Sequence, residues 1–332
     1  MAYVPPPKSL SLAQLPTPFH PLERLTKMLD GPKIWVKRDD LTGTPLTGNK
    51  IRKLQFVLQR AILMGADTVI TCGGLQSNHC RATALAAAQL GLKCHLILRG
   101  ERPRTWDGNT LLAALAGAQI SYHTATEYSQ NLPELFQYWS AHYDKNDHSV
   151  YCIPTGASDG VGLWGYYHAA AELKNDFLAR NIKPELVCCA TGSGGTHAGL
   201  ALGFSHIGDS PIIRGYAVCD DQQYFLRKAR QDIEQWYDLL NIETNKALPI
   251  IDVNDQYIGE GYGQANEHVF ETIKLLARTE GIILDPVYTG KAFLGLLSQI
   301  RSGELRGMKN VVFIHTGGVF GLFPFRAEIL SE

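Results

Sequence analysis

Short runs of β-branched and apolar residues recur along the chain at 34–37, 68–72, 94–98, 119–122, 149–153, 186–190, 212–218, 250–253, 282–284 and 311–315. Each is separated from the next by a segment with apolar residues near helical spacing: 50–63, 76–90, 110–115, 132–143, 163–180, 197–204, 222–240, 265–279 and 288–300. Strands that alternate with helices cannot pair as hairpins, because each must return through a crossover; the pattern predicts parallel βαβ units. Residues 1–31 are proline-rich and irregular, with a short helical pattern at 22–29. Gly73-Gly74 is expected to end the strand at 68–72. The expectation is two interleaved open α/β lobes, with ligands beyond the carboxyl ends of the strands.

A chain of 332 residues buries a large core and suits about two domains. The net charge is −1 with no basic block, which argues against nucleic-acid and anionic-membrane partners. The start, Met1 to Pro7, has neither the basic end nor the apolar run of a signal peptide. No segment reaches the roughly 18 uninterrupted apolar residues of a membrane span. The 7 cysteines lack C-x-x-C spacing, and Cys72, Cys94, Cys188, Cys189 and Cys219 lie in apolar runs where cysteine acts as a small hydrophobe. A reducing cytoplasm is the expected compartment.

Thr47-Gly48-Asn49-Lys50-Ile51-Arg52-Lys53-Leu54 places a lysine at the mouth of a helix. The positive end of the helix dipole and partial burial both disfavour the ammonium, and so favour a nucleophilic amine. By itself the octapeptide reads more readily as a solvated basic turn, because lysines are mostly exposed. Gly192-Ser193-Gly194-Gly195-Thr196 follows a strand and precedes a helix, where consecutive free N–H groups make a phosphate nest. It is neither a P-loop nor a dinucleotide fingerprint. Gln76-Ser77-Asn78-His79 opens another helix and carries more polar groups than an N-cap needs. Thr316-Gly317-Gly318 ends a strand, and Tyr262 and Tyr288 sit in loops after strands. The histidines have no metal-ligand spacing, and no metal is expected. Lysine, phosphate nest, hydroxyl-bearing strand ends and tyrosines converge where one cleft is expected. Lysine with a phosphate site points to pyridoxal phosphate held as a Schiff base, with its ring as electron sink.

Gly48-Asn49-Lys50-Ile51-Arg52-Lys53-Leu54, Gly74-Leu75-Gln76-Ser77-Asn78-His79, Thr191 to Thr196, Asp285-Pro286-Val287-Tyr288-Thr289-Gly290-Lys291 and His315-Thr316-Gly317-Gly318 occur in one order. Together they resemble the family of 1-aminocyclopropane-1-carboxylate deaminase and D-cysteine desulfhydrase, from about residue 10 to 325. The resemblance implies two open parallel-sheet three-layer αβα domains of the tryptophan-synthase-β-like type, pyridoxal-phosphate fold type II, in a homodimer. The expected division is 1–47 plus 156–332 as the larger, cofactor-binding domain and 48–155 as the smaller, carrying Lys50 and Ser77. By resemblance, Lys50 would hold the cofactor covalently and move the Cα proton. Asn78 would bond the phenolic oxygen, and Gly192, Ser193, Gly194, Gly195 and Thr196 with Lys53 would hold the phosphate. Ser77 and Gln76 would meet the substrate carboxylate or assist proton transfer, Tyr262 and Tyr288 would line the substrate side, and Thr289 would join Gln76 and Ser77 in binding the substrate.

Two positions separate the branches. Deaminases of the family carry Glu after the tyrosine of Asp-Pro-Val-Tyr and Leu before the last Gly-Gly; here these are Thr289 and Thr316, as in the desulfhydrase branch. A hydroxyl at 316 would bond the pyridine nitrogen and leave it uncharged, and the carboxylate that would favour pyridinium is absent at 289. A weaker electron sink still allows a good leaving group to depart, whereas opening a cyclopropane is harder. The implied activity is α,β-elimination of D-cysteine, a small amino acid, to hydrogen sulfide, pyruvate and ammonia. An L-cysteate sulfo-lyase is the nearest alternative, then the deaminase, then a non-catalytic protein that binds pyridoxal phosphate or another phosphate ligand.

Overall fold

Along the strand Asn310–Ile314, Val311 and Phe313 enter one apolar core while Val312 and Ile314 enter another. A strand buried on both faces belongs in the middle of a parallel sheet with helices on each side. The computed structural model describes residues 2–208, 211–242 and 248–330, so the outermost expected domain limits, 1 and 332, lie outside the described residues.

Among these residues the strands are β1 (Phe19–Pro21), β2 (Lys33–Lys37), β3 (Thr68–Gly74), β4 (Lys93–Arg99), β5 (Gln119–His123), β6 (Val150–Cys152), β7 (Leu186–Thr191), β8 (Ile212–Ala217), β9 (Asp252–Asn254) and β10 (Asn310–Ile314). They form two sheets, ordered β1-β2-β10-β7-β8-β9 and β5-β4-β3-β6. Every pairing is parallel except β1 with β2. Helices Trp164–Ala179 and Gly195–Ile207 cover one face of the larger sheet, and Glu267–Glu280 and Thr289–Arg301 the other. Helices Asn49–Leu63 and Asn78–Gln89 cover one face of the smaller sheet, and Ala125–Asp144 the other. Both lobes are therefore three-layer α/β units. Among the described residues no helix is long and apolar enough to cross a membrane.

Three local expectations are corrected. Residues 282–284 join no sheet; Ile282 and Leu284 are buried and Ile283 is exposed, which mimics a strand's period, but the Ile283 carbonyl accepts from His315 Nε2 instead of a ladder. β3 does not stop at Cys72 but runs on through Gly73 and Gly74, both of which pair with β4. A Cβ at Gly73 would lie 2.6 Å from Ser77 Oγ, so the glycine lets the chain after β3 fold back onto the strand. The short antiparallel β1 was not expected; it is an edge strand that ends in Pro21, where a missing N–H is tolerated.

The two lobes are tied by a buried ionic cluster. Arg52, in the first turn of Asn49–Leu63, is 1% exposed. It donates to Asp39 through Nε (2.9 Å) and Nη2 (2.8 Å), and to Glu172 through Nη1 and Nη2 (2.9 Å each). Asp39 also accepts from Thr17 and Tyr166, and Lys37 joins Glu172 to Asp176. The same end of the helix is fixed by Gly48 N–H to the Asp39 carbonyl and Asn49 N–H to the Thr316 carbonyl. Removing one partner of a buried pair leaves an uncompensated charge. Arg52→Met is therefore expected to destabilise the protein by roughly 3–5 kcal/mol, and adding Asp39→Asn should recover part of that loss. Denaturant midpoints of the single and double variants check this.

Candidate active site

The carboxyl ends of β3, β7 and β10 open on a cavity of about 430 Å³ between the two sheets. Lys50 enters it from the first turn of Asn49–Leu63, with Nζ donating to Asn49 Oδ1 at 3.0 Å. Its pKa is lowered to about 8, chiefly by burial; the Asp285 carboxylate opposes that shift and the Arg81 guanidinium adds to it.

Gly192 to Thr196 lead from β7 into helix Gly195–Ile207, with Gly194 at φ +84°. The amides of Ser193, Gly194, Thr196 and His197 meet no acceptor among the described residues, while Gly195 N–H donates to Ser158 Oγ at 3.2 Å. Ser158 Oγ also accepts from Lys53 Nζ (3.0 Å) and donates to Ser193 Oγ (2.9 Å), which fills a hydroxyl's capacity. Gly192, Ser193, Gly194 and Thr196 line the cavity; Gly195 and Lys53 do not. Lys53, expected at the phosphate, lies outside the cavity lining and meets the nest through Ser158. It is fully buried, and burial with the nearby Lys50 charge pushes its pKa well below normal. The lysine that does line this end is Lys228, which donates to the Ser158 carbonyl at 2.9 Å and to Asp232.

Asn78 and Ser77 face the cavity from the start of helix Asn78–Gln89. Asn78 Oδ1 accepts from Asn109 (3.0 Å), which leaves its amide N–H groups as donors. Ser77 Oγ caps the helix by accepting from Cys80 N–H at 3.1 Å, with its own proton still to give. Gln76 is corrected: its amide accepts from Asn109 N–H (2.8 Å) and donates to the Asp107 carbonyl (3.1 Å), outside the cavity wall. Thr289 is corrected as well. It is fully buried and donates to Asp285 Oδ1 at 2.7 Å, away from the cavity. Asp285 further accepts from the amides of Val287, Tyr288 and Thr289.

Tyr262 and Tyr288 both line the cavity, with hydroxyl oxygens 2.5 Å apart. Burial pushes Tyr262 up to about 12 and Tyr288 well above its ordinary value, so both are neutral phenols at pH 7. Thr316 closes the wall after β10, its carbonyl accepting from Asn49 N–H. Residue patterns missed Ser158, Lys228 and Arg99. Arg99 ends β4 and lies over the rings of Tyr262 (5.0 Å) and Tyr128 (5.8 Å), with no carboxylate partner among the described residues. The only signal for it was its place at a strand's carboxyl end.

A family model described as "Pyridoxal-phosphate dependent enzyme" matches residues 10–317. A putative 1-aminocyclopropane-1-carboxylate deaminase of Thermotoga maritima is 42% identical over 318 residues, 95% of this chain and 97% of that protein. A bifunctional D-cysteine desulfhydrase/1-aminocyclopropane-1-carboxylate deaminase of Arabidopsis thaliana is 39% identical over 96% of this chain and 80% of that protein. The crystal structure of a deaminase homologue superimposes with a TM-score of 0.88 at 35% identity, covering 97% of this chain and 95% of that one.

The residues present fit pyridoxal phosphate. The open amides of the nest suit a phosphate, and two buried polar atoms beside the cavity, Thr191 Oγ1 and His79 Nδ1, have no partner among the described residues. Lys50, Asn78 and Thr316 offer an amine, an amide donor and a hydroxyl around the remaining space. Covalent attachment requires the neutral amine. Uptake of pyridoxal phosphate by the apo-protein, followed by absorbance, should therefore rise about tenfold per pH unit and level off above about 8. A profile still rising steeply above about pH 10 would mean that Lys50 titrates as an exposed lysine does.

Proposed function

The chain belongs to the pyridoxal-phosphate-dependent enzyme family, and within it we propose a carbon–sulfur lyase that eliminates hydrosulfide from D-cysteine. Its fold is tryptophan-synthase-β-like, fold type II, and its cofactor is pyridoxal phosphate. The observation that carries the proposal is the neutral wall after β10. Thr316 lines the cavity there, and Asp285, a buried carboxylate behind Gly318, has both oxygens bound by residues 287–289. That environment favours an uncharged ring nitrogen, sufficient to expel hydrosulfide and poorly suited to opening a cyclopropane.

When bound, the cofactor supplies a conjugated ring that takes up the electron pair left when the Cα–H bond breaks. The nest from Gly192 to Thr196, braced by Ser158 and neighboured by Lys228, would hold its phosphate. Asn78 would donate to its phenolic oxygen and Thr316 to its ring nitrogen. Ser77 and the open helix end beside it would take the substrate carboxylate. The Lys50 amine, poised near neutrality, would anchor the cofactor and accept the Cα proton. The Tyr262–Tyr288 pair holds a proton on one short hydrogen bond and would deliver it to the departing sulfur. The C–S electron pair leaves with sulfur as hydrogen sulfide, and hydrolysis of the three-carbon enamine gives pyruvate and ammonia.

One observation favours a second reading. Arg99 places a cation without a carboxylate partner in the cavity wall, which suits a substrate carrying a second anion such as the sulfonate of L-cysteate. Relatives named as deaminases keep 1-aminocyclopropane-1-carboxylate in the assay.

Loaded enzyme with D-cysteine should release sulfide and pyruvate in equal amounts, and Lys50→Ala should lower the rate by roughly 10²–10⁴-fold or more. No turnover of D-cysteine or β-chloro-D-alanine by loaded protein would overturn the proposal, and 2-oxobutyrate from the cyclopropane substrate would restore the deaminase. Arg99→Gln should change kcat/KM for D-cysteine by less than about tenfold. Sulfite release from L-cysteate, lost by more than about tenfold in Arg99→Gln, would establish the sulfonate reading instead.

A further inference from the structure

Lys291 ends the Asp285–Lys291 motif, yet it lies outside the active cavity. It is 1% exposed and sits one turn after Tyr288 in helix Thr289–Arg301. Its ammonium makes no ion pair among the described residues; instead it donates to the carbonyls of Ile258 and Gly261, at 2.7 Å each. Those carbonyls bracket an exposed turn, Gly259-Glu260, and Gly261 is bonded directly to Tyr262. Gly259, Gly261 and Gly263 adopt φ of +68°, +118° and +78°. A segment with glycine at every second position has much conformational freedom to lose, and its own contacts hold it weakly. A charged donor shared by two carbonyls is a strong tether, of the kind a bound metal cation supplies elsewhere. Behind the turn lies a second cavity of about 440 Å³, lined by Lys291, Ile258, Gly259, Glu260, Leu294 and Ser298.

We propose that Lys291 is a positioning residue, a built-in cation that ties the 258–261 turn to the helix bearing Tyr288 and so holds Tyr262 against Tyr288. One helix start then carries both Tyr288 and the clamp for its partner, which fixes the 2.5 Å meeting of the two hydroxyls. The catalytic consequence rests on the proposed role of the tyrosine pair; the clamp itself does not.

The test therefore reads the clamp and the chemistry separately. In Lys291→Ala, hydrogen exchange at Gln264, whose N–H donates to the Gly261 carbonyl at 3.3 Å, should quicken at least tenfold, with β3 and β10 unchanged. Propylammonium, which replaces the missing ammonium through the second cavity, should restore protection; tetramethylammonium at equal ionic strength, which has no N–H to donate, should not. In the loaded enzyme the same variant should lose at least tenfold in kcat with KM within threefold, and Lys291→Arg should recover part of it. Unchanged exchange at Gln264, or equal rescue by both ammonium ions, would overturn the clamp. Intact kcat with quickened exchange would leave the clamp standing and remove the tyrosine pair from the reaction. If Lys291→Ala does not fold, Lys291→Met gives the exchange readout.

Discussion

The arginine buried at the start of helix Asn49–Leu63 is the interaction on which the site depends. Lys50, Arg52 and Lys53 occupy one turn, at the helix end where the backbone dipole opposes positive charge. Helical geometry sends the three in different directions. Arg52 meets Asp39 and Glu172, and its pKa is raised well above normal despite its burial. Lys50 and Lys53 have no carboxylate within bonding distance, so burial lowers both, with the Arg81 guanidinium adding to the shift at Lys50 and the Lys50 charge to that at Lys53. One paired cation anchors the helix between the lobes, and the unpaired lysines beside it become poor bases. A nucleophilic amine is a consequence of that division.

Ser158 plays a comparable part at the other end of the cavity. With its hydroxyl filled by Lys53, Gly195 N–H and Ser193, it fixes the outline of the nest and leaves the remaining amides free for an anion. Lys53 therefore acts on the outline of the nest through Ser158. The tyrosine pair obeys the same logic. Two hydroxyls 2.5 Å apart can be held so only if the backbone on both sides is rigid, and one side is a glycine-rich turn.

The fold was largely legible in the chain, because a strand buried on both faces needs a continuous apolar run and each crossover helix needs its own apolar stripe. Misreadings came where that code is shared by something else. Residues 282–284 alternate buried and exposed as a strand would, but they meet core on one side and no free strand edge. At the site, Ser77, Asn78, most of the nest and Thr316 line the cavity because each follows a strand end, which parallel-sheet topology turns toward one cleft, while Lys50 enters from a helix start. Gln76 and Thr289 occupy the same kind of position yet point elsewhere, since each residue along a helix is rotated by about 100° from the last and the sequence does not give the phase.

The order of elements, the sheet type, the lysine at a helix mouth and the anion nest were determined by the sequence alone, because they follow from local periodicity and from glycine and cap chemistry. Which polar residues face the cavity was decided only in three dimensions. Arg99, Ser158 and Lys228 are distant in sequence from the motifs they serve, and Lys53 is adjacent to one it does not join directly. Such assignments depend on how two sheets and their helices pack against each other. That packing is set by long-range burial and charge pairing, above all by Arg52 between Asp39 and Glu172.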